Sequence, residues 1–489
     1  MGKLRGNTLF GAVTALTALG FMQIGYDNGL MGNLINGKPW NDTFDNPDAT
    51  LVGTIVSILE VGAFFGSIFT AFVGEKLGRR KSILLGVVIM AIGSILQATS
   101  YSRAQIIVAR VIAGIGLGIN NSTVPVFQAE FSPKASRGLY VCMQLSTLNF
   151  GIMLIYWIDY AFSYHDESFA WRVPTALQLV FLIVMLGLAL LVDETPRWLV
   201  AHDRSDEAWE VLQRVNYNRH TEEETRAQFD DIVNVVRVQN SIKTGSWATI
   251  LKSDNISSRR RFFIACGIQF MQQAGGINAI VYYSGTLFQK SIGFSQHFSG
   301  LMAGFLNTWF FVASFIPWLL IDRLGRKPLL LSMIFVMAAV FTVQAALIYQ
   351  VQNNTPIQHS CGIAAASMLF VYLGAFTVGF QATVWVYPSE ILPLRMRQMG
   401  SSVSTATNWI INYVVVQITP PGIQNIGWRF YIIFAVLNFV FLPVIYLFFP
   451  ETKGLALEDV DRLFAKDDGV MHMLHEGKEE SKEIEHTKD

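Results

Sequence analysis

The sequence predicts an all-α membrane protein with twelve membrane-spanning helices in two pseudo-symmetric six-helix bundles. Hydrophobic residues make up 52% of the 489 residues, charged residues only 15%, and the mean hydropathy is +0.39. Soluble domains carry about 25% charged residues. A helix needs about 20 mostly apolar residues to cross a bilayer. Runs of this kind lie at 9–31, 50–73, 82–100, 104–127, 138–160, 172–192, 261–285, 298–320, 328–350, 362–388, 398–420 and 427–449.

One long polar stretch, 193–260, separates the first six apolar runs from the last six. We therefore expect an N-terminal six-helix bundle at 1–192 and a C-terminal six-helix bundle at 261–449. The polar stretch between them is expected to be a helical linker in the cytoplasm. The charged segment 450–489 is expected to be a cytoplasmic tail.

Lysine and arginine are unevenly distributed between the two sides of the predicted bundle. Eleven lie on the side that carries the loops near 76–81, 134–137, 323–327 and 395–397, and five lie on the other. Short cytoplasmic loops carry an excess of these residues. Both termini are therefore expected in the cytoplasm of a plasma-membrane protein, with the sequons at Asn41 and Asn353 outside, where glycosylation is possible.

The composition disfavours several classes of function. The formal net charge is zero, which does not suggest a nucleic-acid partner. The three cysteines are far apart and the eight histidines all lie outside the apolar runs, so neither a metal site nor a histidine proton relay is expected. No nucleophile motif or phosphate loop is present. We expect neither an enzyme nor a cofactor.

Several short motifs occur in both halves in the same order. GEKLGRRK at 74–81 returns as DRLGRK at 322–327. Parallel repeats about an axis along the membrane normal are the architecture of two-bundle secondary transporters, which bind substrate between the repeats. The other repeated pairs are Glu130 with Arg137 and Glu390 with Arg397, Trp171-Arg172 and Trp428-Arg429, and Glu194-Thr195 and Glu451-Thr452.

These motifs, with DETPRWL (193–199), QQAGGINAIVYYS (272–284) and FPETKG (449–454), resemble the sugar-porter branch of the major facilitator superfamily. GYDNGLMGNLINGK (25–38) is similar to fungal transporters of sugars and polyols, which include glycerol–proton symporters. The resemblance implies a monomeric symporter in the lipid bilayer that imports a hexose, pentose or glycerol with a proton, by alternating access. A passive sugar facilitator and a transporter-like nutrient sensor are the alternatives.

Ionisable side chains at bilayer depth are candidates for proton coupling. Asp27 lies in the first predicted helix and Arg110 well inside the fourth. The resemblance to proton-coupled sugar porters pairs these two residues and makes Asp27 the proton carrier. An aspartate beside an arginine stays ionised, whereas one moved into an apolar wall takes up a proton. A permanent structural ion pair is the alternative, and Glu60 is a second candidate carboxylate.

Amide side chains on the seventh predicted helix indicate a substrate site. Gln269, Gln272 and Gln273 are spaced i, i+3 and i+4, so they share one helical face. Amides facing lipid would be costly, so this face should point inward. The pair Gly275-Gly276 can break the helix and turn Asn278 towards the same cavity. Amides suit polyols because they offer both donors and acceptors, although interhelical hydrogen bonding is the alternative role.

The fifth predicted helix departs from the family pattern. Sugar porters typically place a glutamine eight residues after the position of Arg137, where this chain has Leu145 preceded by Gln144. A shift of one residue rotates the amide by about 100°, which weakens the case for a hexose and leaves room for glycerol. Substrate contacts carried over by the resemblance, or placed near such positions, are Gln144, Asn307, Trp385, Asn408 and Asn412.

Two gating features are expected. Tyr282 and Tyr283 are expected to gate the outer mouth. The basic loops and the glutamate–arginine pairs are expected to form a cytoplasmic latch that joins the bundles in the outward-facing state and breaks on inward opening. The alternative is that these arginines only follow the orientation rule. The latch pairs are Glu130 with Arg137 and Glu390 with Arg397.

Overall fold

The computed structural model describes residues 4–132, 137–241, 257–393 and 397–453, together with 460, 463 and 464. Side chains are described throughout these ranges except at 137–139, 141, 238–241, 322 and 397–399. The described chain consists of helices and their connections, without a β-strand. The all-α prediction is therefore confirmed.

In the part of the chain that the structure describes, twelve membrane segments follow the twelve predicted apolar runs to within a few residues. α7 continues beyond a break through Ile277–Val281 and Ser284–Thr286 to a π-helical turn at Leu287–Ser291. α8 continues as Ile316–Leu324, and α10 as a π-helical turn at Thr377–Gln381 and a helix at Thr383–Ile391. The segments begin and end as follows: α1 Gly6–Leu34, α2 Ala49–Leu77, α3 Arg79–Ala98, α4 Arg103–Phe131, α5 Arg137–Phe162, α6 Phe169–Leu191, α7 Ser258–Ala274, α8 Gln296–Ala313, α9 Arg326–Gln352, α10 Gln358–Phe376, α11 Arg397–Ile426 and α12 Arg429–Phe448.

Ten of these segments are long and apolar enough to cross a membrane by themselves. The other two, α7 and α11, fall below that measure, and both carry several amide side chains. Large apolar residues such as Ile183, Leu319 and Tyr446 are exposed on the outside of the bundle, as expected of a surface that contacts lipid. The polar segments are therefore the ones that must turn their side chains inward.

Small residues let α2 and α4 approach each other closely. A Cβ added to Gly62 would lie 2.4 Å from the carbonyl oxygen of Val111, and one added to Gly114 would lie 2.1 Å from that of Leu59. Membrane helices commonly use such small residues at their interfaces, because no hydrophobic force drives helices together in lipid. This packing fixes the helix that carries Arg110 against the helix that carries Glu60.

The stretch predicted as a helical linker contains three helices in its described part, Pro196–Ala201, Ser205–Asn216 and Glu222–Ser241. Arg214 pairs with Asp193 at 2.6 Å and donates to the carbonyl of Leu4, which ties the linker to the start of α1. The exact domain boundaries remain a prediction.

A glutamate closes the basic loop at the start of α3. Gly78 has φ +90°, a backbone conformation that favours glycine, and lets the chain reverse directly into α3. The Glu194 carboxylate accepts hydrogen bonds from the backbone N–H groups of Arg79 and Arg80 at 3.1 and 3.0 Å. Burial raises the pKa of Glu194, and the N–H donors and Arg79 only partly offset this effect.

The same arrangement occurs at the start of α9. Gly325 has φ +95°, and the Glu451 carboxylate accepts from the N–H groups of Arg326 and Lys327 at 3.0 and 2.9 Å. The free N–H groups at a helix start, together with the helix dipole, favour an anionic partner. The repeated sequence motifs therefore form the same structure in both halves, with the glutamate of one motif capping the helix that begins in another.

We expect Glu194→Ala and Glu451→Ala each to lower the melting temperature of the detergent-solubilised protein by about 5–10 °C. Each variant removes two hydrogen bonds to a charged acceptor, which contribute about 1.5–3 kcal/mol apiece. The variant also removes the cost of burying the carboxylate, which offsets part of this loss. Thermal unfolding followed by size-exclusion chromatography measures the shift. Glu75→Ala is the control: its carboxylate pairs with Arg79 at 2.8 Å but is 44% exposed, and such pairs contribute about 0–1 kcal/mol. Equal shifts in all three variants would contradict the capping role.

Candidate substrate and proton site

The structure brings the predicted coupling pair together in the N-terminal half. Asp27 on α1 and Arg110 on α4 are fully buried, and Arg110 Nη1 lies 3.8 Å from Asp27 Oδ1. Arg110 Nη2 donates to the carbonyl of Val56 on α2 at 2.9 Å. Among the described residues, neither carboxylate oxygen of Asp27 has a hydrogen-bond partner. The two charges are within ion-pair distance, but no hydrogen bond fixes their separation.

Glu60 on α2 is fully buried and lies close enough to Arg110 and Asp27 to interact with both charges. The hydroxyl of Tyr282 donates to Glu60 Oε1 at 2.6 Å, which joins the segment after α7 to the N-terminal half. The hydroxyl of Tyr283 donates to the carbonyl of Val416 on α11 at 3.0 Å, within the C-terminal half. Of the two tyrosines, only Tyr282 makes a described hydrogen bond across the interface between the halves. Their gating role stays a prediction.

The predicted amides of α7 and α11 form one buried cluster. Asn408 is at its centre: its Nδ2 donates to Gln269 Oε1 and to Gln272 Oε1, both at 2.7 Å. Its Oδ1 accepts from Gln273 Nε2 at 3.0 Å. All four side chains are at most 6% exposed. Four residues that the sequence placed on two separate helices thus share a single hydrogen-bond network.

The helix break adds Asn278 and Asn412 to this network. α7 ends at Ala274, and Gly276 has φ +96°, so the chain changes direction before the short helix that carries Asn278. Asn278 Nδ2 then donates to Gln273 Oε1 at 2.9 Å and to Asn412 Oδ1 at 2.7 Å. A continuous helix would have turned Asn278 away from Gln273.

The other residues predicted to contact substrate make no described hydrogen bond to this cluster. Asn307 on α8 is fully buried and donates to Ser284 Oγ at 3.4 Å and to the Ala303 carbonyl at 2.9 Å. Gln144 on α5 is buried, and its Nε2 has no partner among the described residues. Trp385 is half-buried and packs against an apolar cluster. Their roles in binding stay predictions.

One amide pair between the halves was not anticipated from the sequence. Asn149 on α5 and Gln381, at the end of the π-helical turn after α10, donate to each other at 3.1 and 2.9 Å. Gln381 also donates to the carbonyl of Leu145 at 3.3 Å. Asn149 lies one turn beyond Leu145, where the family pattern has glutamine, so an amide is supplied on the same helical face four residues later.

The ion pairs at the basic end lie within the halves. Glu130 pairs with Arg79 at 3.4 Å, and Glu390 with Arg326 at 2.9 Å. The side chains of Arg137 and Arg397 lie outside the described residues, so their share in the latch stays a prediction. The latch hypothesis requires ion pairs that join the two halves in the outward-facing state. Among the described side chains at this end, no ion pair joins one half to the other.

Hydrogen bonds also join the halves at the end opposite the basic loops. The hydroxyl of Tyr156 on α5 donates to the Val281 carbonyl at 2.5 Å. Asn36, just after α1, accepts from Thr286 Oγ1 at 3.0 Å and, through its carbonyl, from Gln296 at 3.1 Å. Towards the basic loops, Ser146 on α5 accepts a hydrogen bond from Trp318 Nε1 at 3.2 Å, so hydrogen bonds between the halves are not confined to one end of the interface.

Twelve membrane segments in two repeated halves, with buried charges and amides inside, define a major facilitator membrane transporter. Residues 13–464 match the family model described as "Sugar (and other) transporter". The chain belongs to this sugar transporter family, whose relatives found here are transporters and not enzymes.

Two curated relatives and one solved structure illustrate the similarity. The chain is 36% identical over 480 residues to "Sugar transporter STL1" of Saccharomyces cerevisiae, covering 95% of this chain and 82% of the relative. It is 31% identical over 421 residues to the "Galactose-proton symporter" of Escherichia coli, covering 84% and 86%. A structure of the proton:xylose symporter XylE with bound 6-bromo-6-deoxy-D-glucose has a TM-score of 0.77 at 22% identity, covering 94% of this chain and all of that one. That structural similarity shows the fold.

Proposed function

We propose that this protein is a proton-coupled symporter that imports a sugar or polyol across the plasma membrane by alternating access. It acts as a monomer with both termini in the cytoplasm. The observation that carries the proposal is the buried Asp27–Arg110 pair, with its 3.8 Å separation and no hydrogen bond to hold it. Burial of an aspartate costs free energy unless it is paired or protonated. Helix movements that change this distance would therefore change proton affinity.

The amide cluster supplies the substrate site in this proposal. Its amides bond to one another around Asn408, and substrate hydroxyls would replace those bonds with bonds of the same kind. Such an exchange has a small net free energy, since the hydrogen bonds lost and formed are similar. The site can therefore bind and release a neutral polyhydroxylated solute without a large barrier. On α5, Leu145 replaces the glutamine of the family pattern, and Asn149 offers a shorter amide one turn further along the same face, so the proposal includes short polyols as well as hexoses.

A single proton would supply enough free energy for concentrative uptake. One charge moving through 100 mV releases about 2.3 kcal/mol, and one pH unit adds about 1.4 kcal/mol. The sum of about 3.7 kcal/mol supports accumulation of a neutral solute by several hundred-fold, at about 1.4 kcal/mol per tenfold. One titrating carboxylate is sufficient.

The proposal is tested by uptake in a transporter-deficient cell. Labelled glycerol, glucose and xylose are compared for uptake and for mutual competition, while the pH of a weakly buffered medium is recorded. We expect the transported solute to alkalinise the medium when it is added. Uptake without alkalinisation would instead identify the passive facilitator, and the absence of uptake of any polyhydroxylated solute would favour a sensor.

Tyr282→Phe is expected to slow uptake about three- to tenfold without changing the steady-state accumulation ratio. The variant removes the 2.6 Å hydrogen bond to Glu60 between the halves but leaves Asp27 intact. The rate change corresponds to a hydrogen bond worth about 0.7–1.4 kcal/mol. Initial rates and accumulation are measured in proteoliposomes with an imposed proton gradient.

Glu60→Gln is the matched variant, because its amide oxygen still accepts from Tyr282 but cannot titrate. We expect it to accumulate solute as the wild type does. If Glu60→Gln lost accumulation and retained downhill uptake, the coupling proton would belong to Glu60 and not to Asp27.

A further inference from the structure

A cavity lies between the halves at the end opposite the basic loops. It encloses about 210 Å³ and is lined by residues from the ends of α1, α5, α6 and α8 and from the short helix Lys38–Thr43. We call it the vestibule and define it by five of its lining residues: Asn33, Trp40, Asp159, Trp171 and Ser299. With the termini in the cytoplasm, the vestibule faces the outside of the cell.

The five residues that define the vestibule each carry a buried polar atom that lacks a partner in the described part of the chain. Both carboxylate oxygens of Asp159 have none within the described part of the chain, and the same holds for Ser299 Oγ. Asn33 Nδ2 and the indole nitrogens of Trp40 and Trp171 also have none there. Asp159, Ser299 and both tryptophans are only 1–2% exposed. Buried polar groups in native proteins are almost always hydrogen-bonded to protein or to ordered water, so this concentration around one cavity indicates that the cavity holds a polar occupant, either water or a solute.

The kinds of group present select the class of ligand. Three N–H donors and one carboxylate require a molecule that accepts hydrogen bonds at several oxygens and also donates O–H groups. A metal cation is disfavoured, because N–H donors cannot coordinate it and Lys38 also lines the cavity. The indole rings of Trp40 and Trp171 pack against Phe44, so only their N–H groups enter this argument. A neutral polyhydroxylated solute satisfies all of these groups.

We propose that the vestibule is an outer binding site for the transported solute, separate from the amide cluster around Asn408. It would hold the solute on the outer side before the solute reaches the amide cluster. The choice of solute class rests on the proposed function; the existence of a ligand site rests on the unpartnered groups. Besides Asp159, the titratable residues that line it are Lys38, Tyr160, His165, Asp166 and His297.

The test uses protection of an introduced cysteine. His297→Cys is made in a chain whose three native cysteines are replaced by serine, because His297 lines the cavity and is exposed. Intact cells are treated with a membrane-impermeant thiol reagent, with and without glycerol, glucose or xylose. Glycine betaine at equal osmolality is the control solute. We expect a polyhydroxylated solute to slow labelling at least threefold, and betaine to leave it unchanged.

Two second-site variants separate the vestibule from the central site. Asn408→Ala should keep the protection, because it disables only the amide cluster. Asp159→Asn, which preserves side-chain volume, should raise the half-protecting concentration about tenfold or more, as expected for a hydrogen bond to a charged group. An unchanged labelling rate without solute shows that Asp159→Asn is folded at this site.

The outcomes distinguish this inference from the proposed function. Protection that disappears in Asn408→Ala, or that survives unchanged in Asp159→Asn, would overturn the vestibule site, whatever the uptake assay shows. Protection without uptake in the wild type would support the vestibule and contradict the symporter.

Discussion

Replacing Asp27 with asparagine is expected to abolish uphill accumulation and solute-induced alkalinisation. Asparagine has nearly the same shape but carries no titrating proton, so the coupling step is removed while packing around α1 is kept. Wild-type protein with a proton gradient and membrane potential worth about 3.7 kcal/mol should concentrate solute several hundred-fold. The variant should equilibrate it to a ratio of about one. Labelled-solute accumulation in proteoliposomes measures both values.

Exchange transport is the control for folding of the Asp27→Asn variant. With equal solute on both sides and no gradient, labelled solute should exchange with unlabelled solute through the variant, because exchange needs binding and alternating access but no net proton movement. Asp193→Asn, at the partly buried salt bridge with Arg214 outside the membrane segments, is a matched substitution that should retain accumulation. Gradient-driven accumulation by Asp27→Asn would falsify Asp27 as the proton carrier.

The sequence alone defined the membrane segments well, because each needs a run of apolar residues and the polar interruptions are short. It also predicted the break in α7, since Gly275-Gly276 lies between amides that otherwise face different directions. The order of motifs in the two halves predicted the pseudo-symmetry. These signals are local or repeated within the chain, so one sequence is enough to detect them.

Features that depend on contacts between distant segments could not be predicted. Nothing in the local sequence indicates that Glu194 reaches the start of α3. Its partner Arg79 lies 115 residues earlier in the chain. The pairing of Asn149 with Gln381 needs the π-helical turn after α10, which changes the face on which Gln381 lies. A buried amide in an apolar run was the available signal for both residues, but periodicity could not identify the partner.

Asn408→Ala is expected to reduce the uptake efficiency, kcat/KM, about 30- to 150-fold. The substitution removes the side chain that bonds to Gln269, Gln272 and Gln273, which leaves those amides without their shared partner. A loss of about 2–3 kcal/mol is typical when buried polar groups lose a partner, and each 1.4 kcal/mol is a factor of ten. Concentration-dependent uptake gives kcat/KM directly.

Gln344→Ala is the matched control for Asn408→Ala. Gln344 on α9 is an equally buried amide of the same half but has no described hydrogen bond to the cluster. If the cluster binds substrate, Asn408→Ala should lose uptake at a normal amount of folded protein, and Gln344→Ala should keep it. If the amides only join α7 to α11, Asn408→Ala should lower the melting temperature while the remaining folded protein transports with an unchanged KM. The KM of the folded fraction therefore decides between a binding site and an interhelical contact.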